Sequence, residues 1–392
     1  MLAQTANKVG LKSLVIDLYG DRDTEAVAVA CQTVPSLALE SLKPLIDDFI
    51  ERYALEYCIY GSGLEDEWES LQYLETRLKV LGNTLKTVSL LQDKRGFFET
   101  LKGLEITYPE LSFTAPVLDE KAWLIKTSQG QGGLGVRYYS AGHDQSVSQS
   151  RFNSESTFEV ASGFVPMSDI DDEMEGRYLS EFEPTSFYWQ RYQPGTPASV
   201  LFLADGHDAQ VVGFNTQWVK ALNDQQAFVF SGISNASSLS TQQQQFIVEC
   251  LPLVVRAFAL KGLNTLDFIV TSEACFVLEI NPRPSASMQL YEPEVLLDHI
   301  RACQGQLPTS CAYAYQEGFT GYQVVYAEHD LCIPETFMWP DACVDRPKKG
   351  ITCRTGQPIC SIIAHQQQAH FVREVLMTKQ LNLLKGLTSY GI

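Results

Sequence analysis

Positive charge is scarce in this 392-residue chain: 29 Lys plus Arg stand against 47 Asp plus Glu, a formal net charge of −18 at pH 7. Such a surface repels nucleic-acid backbones and anionic membranes, so any phosphate must be met locally. Long apolar runs are missing too, none approaching the roughly 20 residues that span a bilayer. The opening MLAQTANKVG has no apolar core of a secretory signal. Ten cysteines are scattered without a C-x-x-C pair or a Cys/His ligand spacing. That argues against a zinc ribbon or a disulfide-stapled scaffold and fits a reducing cytoplasm. There is no repeat at a fixed period, and the G-K-[ST] ending of a P-loop is absent, since Gly135 is followed by Val136 and Arg137.

What is present is an ordinary globular composition. Hydrophobic residues make up 45% of the chain, ample for real cores, and the length suits two to four domains. Residues 11 to about 90 read as alternating strand and helix, with SLVIDLYG and YCIYGSG as short strands and Glu65 to Val80 helical, which is α/β order. GSG at 61–63 before LEDEWES is either a ligand loop or a turn into a helix with acids in its first turn. Phe97, Phe98 and Leu101 mark a short amphipathic helix that ends before Pro109, with Lys94 at its start.

From about 186 the chain is strand-rich. FYWQRY precedes a hairpin, ASVLFLADGHDAQVVGF, turning at Asp205 and Gly206. A helix follows from about Gln242 to Leu260, with Phe246, Cys250, Leu253, Val254 and Ala257 at helical spacing and its glutamine run as a solvated first turn. The last ninety residues carry the β runs GYQVVYAE and PICSIIAH. They close on a helix with Phe371, Val375 and Leu376 on one face, and read as a small accessory domain.

The stretch KAWLIKTSQGQGGLGVRYY runs an apolar strand through Lys126 into a loop with Gly130, Gly132, Gly133 and Gly135. Three of these glycines satisfy G-x-G-x-x-G, and Glu155 stands twenty residues on. The segment after the loop nevertheless lacks a 3.6-residue apolar period, and SAGHD reads as a turn, so no helix opens there to face a pyrophosphate. Two readings stay open: a loop that covers a polyphosphate beside Lys126, and a glycine-rich hairpin turn.

The most informative segment is LNTLDFIVTSEACFVLEINPRP, residues 263–284. Two β-rich runs flank the polar Thr271 to Ala274, the pattern of a hairpin. With the turn centred near residue 273, Asp267 lies opposite Glu279, and alternation puts Asn281 on the face of Glu279. Two carboxylates so placed repel, and a hard cation such as magnesium resolves the arrangement; a solvated hairpin face is the other reading. Arg283 sits between two prolines, stiffly held, suited to a carboxylate or an oxyanion or else a surface arginine.

Taken in order, Lys94, Lys126 with its glycine loop, the strand YWQRYQPG, Asp267 and Glu279-x-Asn281 resemble the ATP-grasp superfamily. The resemblance implies an α/β and α+β architecture: an N-terminal α/β domain (1–90), a central lobe (91–185), a second lobe with the metal site (186–305) and a small β-rich C-terminal domain with a closing helix (306–392). It implies that Lys94 and Lys126 bind ATP phosphates under the loop, that the main chain of Gln190, Arg191 and Tyr192 reads adenine, and that Asp267, Glu279 and Asn281 hold magnesium, manganese being the alternative. The step from Asp267 to Glu279, then Asn281 and Arg283, is similar to the metal motif of biotin carboxylase. YGSGLED, EINPRPSAS and DRPKKGITCRTGQPICSIIA resemble the carboligase group that includes tyramine–glutamate ligase of methanofuran biosynthesis.

The implied reaction is ADP-forming ligation of a carboxylate and an amine through an acylphosphate, with Lys126 and Arg283 as catalytic groups. Glutamate with tyramine or tyrosine is the substrate pair, small molecules are the partners, and a homo-oligomer is compatible. There are departures. Gln190 stands where the hinge usually begins with an acid, Pro197 or a neighbour where an acid holds the ribose, and Thr265 where D-alanine ligases carry an arginine. A carboxyphosphate enzyme like biotin carboxylase is the first alternative; there a glutamate acts as base four residues beyond the arginine, and here that residue is Ser287. A nucleotide-binding regulator without turnover is the second.

Overall fold

The computed structural model describes residues 1–117, 122–140, 187–309 and 317–389; Glu155 and all of SAGHD after Ser140 lie outside the described residues. The N-terminal region alternates helices with two short parallel pairs. One pair is β1 (Leu14–Asp17) with β2 (Ala30–Thr33), the other β3 (Tyr57–Cys58) with β4 (Lys79–Val80). The helix Leu39–Tyr53 buries Leu42, Ile46 and Phe49, and the helix Trp68–Arg77 buries Leu71 and Leu74; Leu42, Ile46, Leu71 and Leu74 share one core. This spacing of three to four residues is what makes each helix one-sided. The helical pattern read from Glu65 begins as a single 3-10 turn, Leu64–Asp66.

A four-stranded antiparallel sheet follows, in the order β5 (Leu111–Ser112), β8 (Phe187–Arg191), β6 (Trp123–Thr127), β7 (Val136–Tyr138). β8 thus pairs with β5 and β6, across a boundary drawn at 185/186. The short helix Lys94–Gly103 ends before Pro109 as its pattern predicts, and Phe97, Phe98 and Leu101 are all buried.

The second sheet has eight strands. It is built from β9 (Thr196–Asp205), β10 (Ala209–Lys220), β11 (Val229–Ser234), β12 (Lys261–Val270), β13 (Cys275–Asn281), β14 (Phe319–Tyr326), β16 (Cys343–Val344) and β18 (Pro358–Gln366). Their order is β13-β12-β9-β10-β11-β14-β18-β16, and β15 (Leu331–Cys332) pairs with β17 (Thr352–Cys353) outside it. Ala198 to Ala204 on β9 are buried without interruption, as expected of a strand covered on both faces. The turn between β9 and β10 spans Asp205 to Asp208, where the Asp205 carboxylate accepts the His207 and Asp208 amides. The β-rich C-terminal region has its own core around Val325, Ile362 and Leu376, yet β14, β16 and β18 extend the same sheet as the strands before 306.

Two helix faces differ from the sequence pattern. The helix Thr241–Phe258 buries Ile247, Cys250, Leu251, Val254, Val255 and Phe258, a stripe rotated slightly from the expected one, so Leu253 and Ala257 flank it. Its glutamines are not merely solvated: Gln243 closes a capping box with Ser240 and donates to the Thr271 carbonyl at 2.8 Å. In the closing helix Ala369–Ser389 the buried face is Val372, Leu376, Leu383 and Leu387, while Phe371 is 43% exposed. Position 372, not 371, stands in register with 376, 383 and 387 on a 3.6-residue turn.

Candidate functional site

The hairpin β12–β13 pairs Asp267 with Glu279 and Thr265 with Asn281. The opposition arises differently from the sequence reading. Val270 pairs with Cys275, so the turn centres between residues 272 and 273, and a bulge at Leu278 shifts the register to bring Glu279 opposite Asp267. Thr271 fixes the turn, its hydroxyl accepting the amides of Glu273 and Ala274.

The Asp267 carboxylate is held at both oxygens: Gln217 Nε2 donates to Oδ1 at 3.0 Å and Asn281 Nδ2 to Oδ2 at 3.0 Å. Burial first, and Glu279 second, push its pKa up to about 7 against these hydrogen bonds and the field of Arg283. That elevation is what a desolvated carboxylate beside a second one shows when nearby positive charge and hydrogen bonds only partly offset burial. The donor set is all oxygen and suits a hard dication. Among the described residues no group of three or more His, Cys, Asp and Glu is placed to hold a metal ion, and here only two acids face each other, with Asn281 beside them.

Two buried lysines share this field. Lys94, at the start of its helix, donates to the Leu91 carbonyl at 3.1 Å. Burial lowers its pKa, with Glu279 opposing and Lys126 adding to the depression. Lys126, on β6, donates to Gln190 Oε1 at 3.2 Å. Burial works against its charge, but Tyr188, Glu279 and Asp267 outweigh that and leave the pKa raised. Lys126, Lys94, Asp267, Glu279 and Asn281 are therefore brought together from two sheets and a helix.

The glycine loop connects β6 and β7 as a hairpin, and it also leans onto the second lobe. Phe230 N donates to Gly132 O at 2.8 Å. Gly133, at φ 75°, passes so close to the Phe228 carbonyl that a Cβ would lie 2.1 Å from its oxygen. Gly135 packs on Thr127, where a Cβ would meet Oγ1 at 2.2 Å. At these two positions only glycine fits.

At the end of β8 the side chains of Gln190, Arg191 and, one residue beyond the strand, Tyr192 part company. Gln190 is 2% exposed; its Oε1 serves Lys126, and its Nε2 is buried with no partner among the described residues. Arg191 turns away, donating to Glu110 Oε2 at 3.1 Å and lying 4.1 Å over the Trp123 ring. Tyr192 packs its ring with Tyr138 and Phe228.

Arg283 is 8% exposed, so it is no surface arginine; its Nε donates to Glu65 Oε1 at 2.6 Å and its Nη2 lies 3.5 Å from Asn281 Oδ1. Ser287, also buried, ends a hydroxyl row: Thr265 Oγ1 to Ser285 Oγ at 2.8 Å, then Ser285 Oγ to Ser287 Oγ at 2.7 Å. Sequence reasoning missed Glu65 and Gln217. Glu65 carried one signal, the GSG turn before a run of acids; Gln217, in the middle of a strand, carried none.

A glycine-rich hairpin set over a long antiparallel sheet, with a carboxylate pair on that sheet's edge hairpin, is the architecture of an ATP-grasp fold. A family profile for the ATP-grasp domain matches residues 170–287, the part of the chain that ends on the carboxylate hairpin and Arg283. Biotin carboxylase from Campylobacter jejuni, solved as a complex with β-γ-ATP, superposes with a TM-score of 0.69 at 14% identity, over 96% of this chain and 88% of that one. N5-carboxyaminoimidazole synthetase from Staphylococcus aureus, solved with ADP, gives 0.62 at 15% identity over 97% and 93%. The carbamoyl phosphate synthase large chain of Caldanaerobacter subterraneus is 21% identical over 285 residues, 72% of this chain and 24% of that protein. The chain spans no more than about a quarter of the curated relatives it matches. No described helix is long and apolar enough to cross a membrane.

Proposed function

We propose that the protein is an ADP-forming enzyme that activates a carboxylate as its acyl phosphate and passes the acyl group to a nitrogen nucleophile. The observation that carries this reading is the convergence of two buried lysines, Lys94 and Lys126, on Glu279, itself opposite Asp267. An oxygen of the acid attacks the γ-phosphorus of ATP, the bond to the β–γ bridging oxygen breaks, and ADP leaves. The nitrogen then attacks the acyl carbon, inorganic phosphate leaves, and the amine proton passes to solvent.

Asp267, Glu279 and Asn281 would hold magnesium or manganese, which when bound neutralises charge across the β- and γ-phosphates. Lys94 and Lys126 meet phosphate oxygens as preorganised positive charges in a water-poor site. Gly130, Gly132, Gly133 and Gly135 let the loop backbone approach the polyphosphate. The main chain from Gln190 to Tyr192 lines the base, with Gln190 Nε2 a spare donor. Arg283, held through its Nε, turns the rest of its guanidinium to the acid and its tetrahedral adduct.

Bicarbonate is the acid that the comparisons favour. The C. jejuni structure is a biotin carboxylase, the carboxylase domain dimer from Hydrogenobacter thermophilus was solved with MgADP and bicarbonate at 14% identity and a TM-score of 0.68, and the curated relatives are carbamoyl phosphate synthases. The intermediate would then be carboxyphosphate. A second reading, glutamate joined to tyramine or tyrosine, is favoured by Ser287: its hydroxyl is engaged with Ser285 and offers no carboxylate base for bicarbonate. Oxygen-18 in the acid separates the two. The labelled acid that places one heavy oxygen in inorganic phosphate, with magnesium-dependent ADP release, is the substrate; ADP release unaffected by every acid would overturn the proposal.

A further inference from the structure

The turn between β3 and the helix Trp68–Arg77 touches both halves of the site at once. Ser62 Oγ donates to Gln131 Oε1 at 2.9 Å, and Gln131 Nε2 donates to Asp66 Oδ2 at 3.3 Å. The amide at the tip of the glycine loop, between Gly130 and Gly132, is thus gripped at both atoms. One residue before Asp66, Glu65 is buried and takes Arg283 Nε on Oε1 at 2.6 Å, while its Oε2 accepts the Gly63 amide at 2.7 Å.

The turn is stiff enough to carry a signal. Gln92 Nε2 donates to the Glu65 carbonyl at 2.7 Å and to Asp66 Oδ1 at 3.0 Å, and Trp68 Nε1 fixes Gln92 Oε1 at 2.6 Å. Gly63, at φ 104°, holds a backbone conformation that strains other residues, and a Cβ there would crowd Leu37 and Gln131 Nε2 at 3.0 and 3.3 Å. Arg283 reaches on to Asn281, and Asn281 to Asp267. A continuous run of polar contacts therefore leads from the loop tip to the metal-face carboxylate. Burial pushes the Asp66 carboxyl up, with the Gln131 hydrogen bond pulling against it.

We propose that residues 62–66 form a clasp in which Ser62 and Asp66 hold the glycine loop down through Gln131 while Glu65 orients Arg283, so that loop closure and placement of the arginine are one coupled event. Glu65 and Asp66 are positioning residues. The role given to Arg283 and the loop rests on the acyl-phosphate reading; the clasp itself is a contact between two elements and is measured without turnover. Coupling of this kind is reciprocal: loosening Arg283 must loosen the loop, though the two do not touch.

The test uses full-length protein without nucleotide and follows subtilisin cleavage within residues 128–135 by mass. Gln131→Ala removes both clasp contacts and leaves Glu65 on Arg283; cleavage should quicken by about tenfold, the effect of two modest hydrogen bonds together. The double variant Ser62→Ala with Asp66→Ala should give the same rate, with no further gain on adding Gln131→Ala. Equal cleavage of wild type and Gln131→Ala overturns the clasp. Glu65→Gln, which touches Arg283 and not the loop, should also raise cleavage several-fold, and Arg283→Lys replaces it if that variant does not fold; no change overturns the coupling. In turnover, Gln131→Ala should raise KM for ATP and Glu65→Gln should lower kcat. A protein that shows the cleavage pattern but never releases ADP keeps the clasp and loses the enzymatic reading; ADP release without the cleavage pattern does the reverse.

Discussion

Asn83 donates from Nδ2 to Asn264 Oδ1 at 2.8 Å and to the Pro282 carbonyl at 2.9 Å, while its own Oδ1 accepts the Lys261 amide at 2.8 Å. One side chain, 1% exposed, ties the N-terminal region to both ends of the hairpin that carries Asp267 and Glu279. Tyr60 backs it, donating to the Asn83 carbonyl at 2.9 Å. The site is therefore positioned by a buried polar joint as well as by its sheet.

Replacing Asn83 should show how much that joint holds. Asn83→Ala strands the Lys261 amide and the Asn264 side chain in a dry environment, each an unmade hydrogen bond. The expected loss is about 3 kcal/mol of unfolding free energy, read as a lower urea midpoint with an unchanged m-value. A loss under about 0.5 kcal/mol, as for a surface change, would contradict the account.

Glu279→Gln keeps the shape of the carboxylate face proposed to hold the metal and removes one of its two acids. ADP release should fall by roughly 3 kcal/mol or more in transition-state stabilisation, with the circular dichroism spectrum unchanged. A variant with full activity would remove Glu279 from the site.

Asp267 should make metal binding pH-dependent. Its pKa is raised to about 7 in the folded chain, so metal-free protein binds the extra proton when folded and loses stability as pH rises from about 4 to about 7. Magnesium should restore stability more at pH 8 than at pH 5 and release a proton on binding near pH 6.5. Thermal melts with EDTA or magnesium at both pH values check this, and Asp267→Asn should abolish the difference.

His299 provides an opposite slope away from the site. The Leu263 amide donates to its Nδ1 at 2.8 Å, so the proton sits on Nε2, which meets the Leu81 carbonyl at 3.1 Å. Burial lowers the pKa to about 4, the Leu81 contact opposing. The unfolded state then takes up the proton first, and stability is lost as pH falls from about 6.5 to 4, by about 3 kcal/mol. Because Asp267 contributes equally to both proteins, the stability of wild type relative to His299→Asn, read by urea titration, should fall by about that amount as pH drops across this range.

The sequence by itself determined what depends on short-range order. Two β-rich runs around a polar tetrad fixed the hairpin and brought Asp267 near Glu279, since a hairpin's pairing is settled within a dozen residues of its turn; their direct opposition came from the bulge at Leu278, which was hidden because a one-residue insertion leaves no pattern in the apolar period. The helix under Phe97 and Leu101 was legible for the same reason. The stripe of the helix Thr241–Phe258 was less so, because apolar residues lie on more than one side and only the sheet selects the buried one. What the tertiary structure alone decided are the contacts between distant segments: Glu65 on Arg283, Gln217 on Asp267 and Gln131 between Ser62 and Asp66. None has a local signature, since a carboxylate or an amide acquires its partner only when packing carries two chain segments, up to 218 residues apart, into one desolvated space where an unpaired charge would be costly.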